Sequence, residues 1–240
     1  MATPVIITEV QRKTSEVQRK IFHSLMILVA LVNWIGIQFF GPLYGSLLSI
    51  GFTGISLVFF IGFDFTRIRV YGYFPFRRIT DRVMRPRERT RFGASVYFAV
   101  GSLLIFITLY LLGHILLNWF EFSAIWMLSG WLSVTAVMVA AIGDGAAAII
   151  GMKFGRHRIK GNRTLEGAIG GFFFGFLAFL PLWYFIGVPL IYGIIAATIL
   201  LVVDLVALPI DDNLLNPIAI GITLAIFEII FTIFIFTRLG

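Results

Sequence analysis

The chain has 240 residues, of which 59% are apolar and only 13% charged, with a mean hydropathy of +0.98 and a formal net charge of +7. That composition excludes an ordinary soluble globule. The absence of cysteine excludes disulfides, iron–sulfur clusters and thiolate zinc sites. Seven membrane helices of about 20 residues each would use about 140 residues, close to the apolar content, so any chemistry must reside in the helices and their short connections.

Long apolar runs bounded by polar or Gly/Pro punctuation predict spans near 21–41, 43–63, 92–117, 122–142, 166–187, 189–208 and 214–236. The runs lack the alternation of a barrel strand, so they are expected to be helices. The expected fold is all-α, a polytopic bundle of seven transmembrane helices forming one integral membrane domain over 1–240. Residues 1–20 form a polar leader. The run after it is as long as a full span, which argues against a cleaved signal peptide.

Basic residues cluster at the leader, at nine arginines from Arg67 to Arg91, and at Lys153, Arg156, Arg158, Lys160 and Arg163. An N-inside arrangement places 18 of the 19 Lys and Arg residues on the cytoplasmic side and only Arg238 outside. The one-sided charge serves orientation and anionic lipid, or it gathers a polyanionic substrate such as a nucleoside triphosphate. No nucleic-acid recognition motif accompanies it, so nucleic acid is not an expected partner.

The leader repeats Glu9-Val10-Gln11-Arg12-Lys13 as Glu16-Val17-Gln18-Arg19-Lys20. The seven-residue spacing and the i,i+4 Glu/Lys pairs suit a helix lying in water or headgroups. Residues 64–91 form the expected basic interfacial loop, rich in aromatics and arginines.

The stretch from Ile142 to Gly170 is the most informative. Asp144 sits among Gly143, Gly145 and Ala146 to Ala148, where small neighbours would let phosphate or metal approach; the same residues would equally suit a helix-packing face. Gly151, Gly155, Arg156, His157, Arg158 and Lys160 read as a glycine-punctuated basic loop (152–165), in which amides and cations face phosphate. Thr164 is a good N-cap for span 5, whose dipole would aid anion binding. There is no Walker A sequence. Between spans 6 and 7, Asp211, Asp212 and Asn213 could coordinate a hard cation, or one of them could cap span 7. His114 and Glu228 are expected to serve structural pairing, Asn33 and Gln38 to act as interhelical glue.

The order of these motifs resembles the CTP-dependent polyprenol kinase family, which includes dolichol kinases, phytol kinases and a yeast-type diacylglycerol kinase. The resemblance runs from Arg19 to Pro217. It comprises Arg19-Lys20 with His23; Arg85 with Glu88, then Gly93, Ala94 and Tyr97; Gly143-Asp144 with Ala147, Gly151 and Gly155; Thr164-Leu165-Glu166-Gly167; and Asp211-Asp212-Asn213 before Pro217. Two positions depart from the pattern: Arg163 replaces a lysine, and Val206 stands where many relatives have a Glu, with Asp204 nearby.

The resemblance implies transfer of the γ-phosphoryl group of CTP to the hydroxyl of a membrane-embedded isoprenoid alcohol, with Mg²⁺. Asp144, Asp211 and Asp212 would hold Mg²⁺ and activate the hydroxyl. Arg156, Arg158, Lys160 and Arg163 would hold the triphosphate, Glu166 would orient one of these arginines, and Gly143, Gly151, Gly155, Thr164 and Asn213 would complete the nucleotide site. It would work at the cytoplasmic face of a lipid bilayer, the plasma membrane of a prokaryote or an endoplasmic-reticulum-type membrane of a eukaryote. The alternatives are a CTP:lipid-phosphate cytidylyltransferase and a non-enzymatic lipid-binding or transport protein.

Overall fold

The computed structural model describes residues 27–70, 91–120, 123–161 and 163–239. The leader, His23 and the arginine run through 71–90, with its Arg85 and Glu88, lie outside the described residues. The described residues form an all-α bundle with one small hairpin: α1 (Ile27–Arg69), α2 (Ala94–Phe120), α3 (Ser123–Phe154), β1 (Arg158–Lys160), β2 (Arg163–Thr164), α4 (Leu165–Ile186), α5 (Leu190–Val206) and α6 (Asp212–Leu239).

α1 is two helices. Gly41 (φ 76°, ψ 172°) breaks it before Pro42, and the halves fold back on each other. The hairpin is tight because Gly36 meets Gly45, where a Cβ on Gly45 would stand 2.4 Å from the Ile37 amide nitrogen. Among the described residues five helices are long and apolar enough to cross a membrane: Leu43–Arg69, Ala94–Ile115, Gly130–Phe154, Leu165–Ile186 and Asp212–Phe234. Ile27–Gly41 and Leu190–Val206 are shorter apolar helices. At 1.5 Å per residue the latter spans about 25 Å, somewhat less than a hydrocarbon core.

α3 is the central helix and packs against α1, α2, α4, α5 and α6. Its residues 130–141 are buried without interruption, as expected of a helix apolar on every side. Between α3 and α4 runs a seam of small residues. Gly143, Ala147 and Gly151 on α3 face Gly167, Gly171 and Gly175 on α4, and a Cβ on Gly167 would approach the Ala147 carbonyl to 2.7 Å. Such four-residue spacing lets two backbones meet closely.

Polar pairs complete the packing. Asn33 donates to Ser133 Oγ (2.9 Å) and accepts from Ser49 Oγ (2.7 Å), joining both halves of α1 to α3. Gln38, expected to do the same, is exposed. Glu228 accepts from the Tyr192 hydroxyl and from Thr232, tying α6 to α5, while His114 pairs with Tyr110 on its own helix (3.0 Å).

Two boundaries differ from the expected spans. α3 runs 12 residues past position 142 because its glycines serve the α4 seam rather than break the helix. α1 continues to Arg69, so the first part of the expected 64–91 loop is helical, held by a buried Asp64–Arg67 pair.

Candidate functional site at the basic end of the bundle

The α1 terminus, the start of α2, the β-hairpin, the end of α5 and the start of α6 meet at one end of the bundle. The ties are Asp64 to the amide of Gly93, Lys160 to Ala207 and Arg163 to Asp212. Every site residue proposed from sequence lies in or beside these connections, except Gly143, Asp144 and Gly151, which lie within α3.

The hairpin pairs Arg158 with Thr164 and Lys160 with Arg163. It turns at Gly161, whose φ of 61° suits a residue without a Cβ. The Thr164 hydroxyl caps α4 by accepting from the Gly167 amide at 3.1 Å. Glu166, in the first turn of α4, accepts from the backbone amides of Arg156 (3.0 Å) and His157 (3.2 Å) and pairs with His157 Nδ1 (2.6 Å). It therefore fastens the approach to the hairpin onto the N-terminus of α4, where negative charge is favoured. Glu166, expected to orient one of the arginines, holds the backbone of Arg156 and the backbone and imidazole of His157.

The four cations expected at a triphosphate divide into two pairs. Arg163 donates to the carbonyls of Val203 (3.1 Å) and Asp204 (3.3 Å) and pairs with Asp212. Lys160 donates to the Ala207 carbonyl at 3.1 Å. Both serve the C-terminal end of α5, where helix carbonyls lack backbone partners and positive charge is favoured. Arg156 and Arg158 instead are exposed on the surface of the hairpin.

Among the acidic residues, Asp211 is the cap of α6. One carboxylate oxygen accepts from the Asn213 amide (3.0 Å) and side chain (2.7 Å), and the Asp211 carbonyl accepts from Leu214 and Leu215. Asp212 closes on Arg163 with both side chains part-buried. Asp144 is buried in α3, 6% exposed. Among the described residues no group of three His, Cys, Asp or Glu side chains is placed to hold a metal ion. The donor chemistry still suits Mg²⁺ in the form that needs fewest protein ligands, one or two carboxylates together with substrate phosphates.

The glycines are placed differently from expectation. Gly143 packs against Leu200 and the Gly171 carbonyl, and Gly151 lies inside α3. Gly155 donates its amide to the Gly151 carbonyl (3.0 Å), and a Cβ on either Gly151 or Gly155 would collide with Thr164. They make room for the cap of α4. Val206 is exposed, and Asp204, two residues before it, is buried.

Asp64 and Arg67 were missed as a unit by reading them as the start of a loop. Arg67 is fully buried, donating Nε and Nη2 to Asp64 (2.9 Å each) and Nη2 to the Arg91 carbonyl (2.8 Å). Their i,i+3 spacing was the available signal. The pair docks the start of α2 on the end of α1. Comparison with protein-family models, curated proteins and solved structures returns no match.

Proposed function

We propose that the chain is a membrane lipid kinase that transfers the γ-phosphoryl group of CTP to an isoprenoid alcohol at the cytoplasmic end of a seven-span bundle. The observation that carries this reading is the Arg163–Asp212 tie, which joins residues 49 apart and brings a basic hairpin against an acidic helix start at the end of an apolar bundle. Motif order resembling the polyprenol kinase family supports the choice of donor and acceptor.

In this reading Arg156 and Arg158 meet the triphosphate; Glu166 holds the Arg156 backbone and strand pairing with Thr164 holds that of Arg158, so that little ordering remains when nucleotide arrives. Asp211 and Asp212, with Asp144 nearer the bundle interior, supply carboxylates for Mg²⁺ and for the proton of the acceptor hydroxyl. Mg²⁺, when bound, neutralises developing charge on the transferring phosphoryl group. The alcohol oxygen bonds to the γ-phosphorus as its proton passes to a carboxylate, the bridging bond breaks, and CDP leaves.

The test is purified protein in lipid, supplied with γ- or α-labelled CTP, or γ-labelled ATP, and a panel of geranylgeraniol, phytol, polyprenol, dolichol and diacylglycerol. The γ label is expected to enter an isoprenoid alcohol and the α label to stay in solution. Transfer of the α label with release of pyrophosphate would replace the kinase by a cytidylyltransferase, and efficient use of ATP would remove CTP as the donor.

A further inference from the structure

Two buried polar side chains, one on each of the packed helices α2 and α6, play no part in the site described above. Ser102 on α2 is 0% exposed and Asn216 on α6 is 1% exposed. Ser102 Oγ and both polar atoms of the Asn216 carboxamide have no hydrogen-bond partner among the described residues. The two helices touch here: a Cβ on Gly101 would stand 2.9 Å from the Leu214 carbonyl and from Pro217 Cγ. Pro217 has no N–H to offer the Asn213 carbonyl four residues back, so the same corner contains a further acceptor deprived of its usual helical partner.

Orphaned polar atoms in an apolar surrounding are costly, and apolar side chains of similar size would remove that cost. Asn216 and Asp212 are at i,i+4, on one face of α6, with Asn216 one turn, about 6 Å, deeper in the bundle. The walls on either side are apolar: Phe98 and Ile105 one turn from Ser102, and Ile220 one turn from Asn216, all buried. The unmet hydrogen-bonding capacity suits a small neutral group that both donates and accepts, with an apolar body attached. None of these side chains is a cation that would favour an anion.

We infer that Ser102 and Asn216 form a hydroxyl-binding site between α2 and α6, taking the alcohol end of a long-chain lipid alcohol one helical turn beneath Asp212. The choice of ligand rests on the lipid-kinase reading. The hydroxyl donates to Asn216 Oδ1 and accepts from Nδ2 or from Ser102, while the hydrocarbon chain lies along the apolar helix surfaces.

The experiment measures thermal unfolding of the full chain in nanodiscs without nucleotide, with phytol or with the matching branched hydrocarbon that lacks the hydroxyl. Phytol is expected to raise the Tm of the wild type and the hydrocarbon to leave it unchanged. Asn216→Leu is expected to start from an equal or higher Tm, because it removes orphaned polar atoms, and to lose the phytol shift. Ser102→Ala is expected to raise the half-saturating phytol concentration about tenfold, and it carries the test if Asn216→Leu fails to fold. Equal shifts with phytol and hydrocarbon, no phytol shift in the wild type, or a phytol response unchanged in the folded variants would overturn the site. Failure of the kinase reading looks different: a phytol shift that depends on Asn216 in a protein that transfers no phosphate from any nucleotide. Conversely, phytol phosphorylation with an unchanged KM in Asn216→Leu would remove this site and leave the kinase.

Discussion

The α3–α4 seam and the tie between the β-hairpin and α6 draw on the same stretch of chain, residues 143–175, but opposite physics holds them. In the seam, Gly143, Ala147 and Gly151 meet Gly167, Gly171 and Gly175 backbone to backbone, and nothing longer fits. In the tie, Arg163 reaches out of the hairpin to Asp212 and to the end of α5, part-buried and electrostatic. A glycine-rich and arginine-rich stretch is thus two devices: small residues set the distance between helices, and charges a few residues later tie the hairpin to the neighbouring helix ends.

The sharpest way to break this contrast is to fill the seam. Gly167→Leu should abolish folded protein, because the added side chain meets the Ala147 carbonyl, which belongs to backbone and cannot turn aside. Gly167→Ala should cost about 1–3 kcal/mol by overpacking, whereas Gly51→Ala, with nothing within 4 Å of its new methyl, should be neutral or stabilise by up to about 1 kcal/mol. Denaturant unfolding in micelles measures all three. A normal yield of folded Gly167→Leu would show that the seam is not tightly closed.

Asp212→Asn tests the tie. Turnover in the labelled-CTP assay should fall by about 10²–10⁴-fold if the carboxylate acts on substrate or metal. Stability should change by no more than about 1 kcal/mol, because both side chains of the pair retain solvent exposure. The swap Arg163→Asp with Asp212→Arg should recover stability without turnover; recovery of both would make the pair purely structural.

Asp211→Ala should cost about 1 kcal/mol of stability from loss of the α6 cap, read from the same unfolding titration. Asp211→Asn, which keeps an accepting oxygen, should restore most of that stability. Lost turnover in this variant would identify a need for the negative charge beyond capping.

Much of the helical framework was legible because an apolar run of about 20 residues with Gly/Pro boundaries matches the thickness of a bilayer and satisfies its backbone there as a helix. The turn at Gly41 and Pro42 appeared at its expected place. The continuation of α3 to Phe154 was not anticipated: a local glycine reads as a breaker unless its four-residue spacing is matched by glycines on the partner helix. The same lesson applies to Gly151 and Gly155, whose close approach is to Thr164. The Asp64–Arg67 pair was hidden because a basic run resembles a surface loop until a partner buries one of its arginines.

Composition and order by themselves determined that this is an apolar helical bundle, with most of its charged residues gathered near the helix ends and connections, because helix formation and burial of apolar runs depend on local pattern. Tertiary structure alone decided which of those residues meet. Asp212 belongs with Arg163, Glu166 with the amides of Arg156 and His157, and Lys160 with the end of α5. Each pairing depends on the distance and rotation between helices, and at the centre of the bundle the missing side chains of facing glycines set that distance.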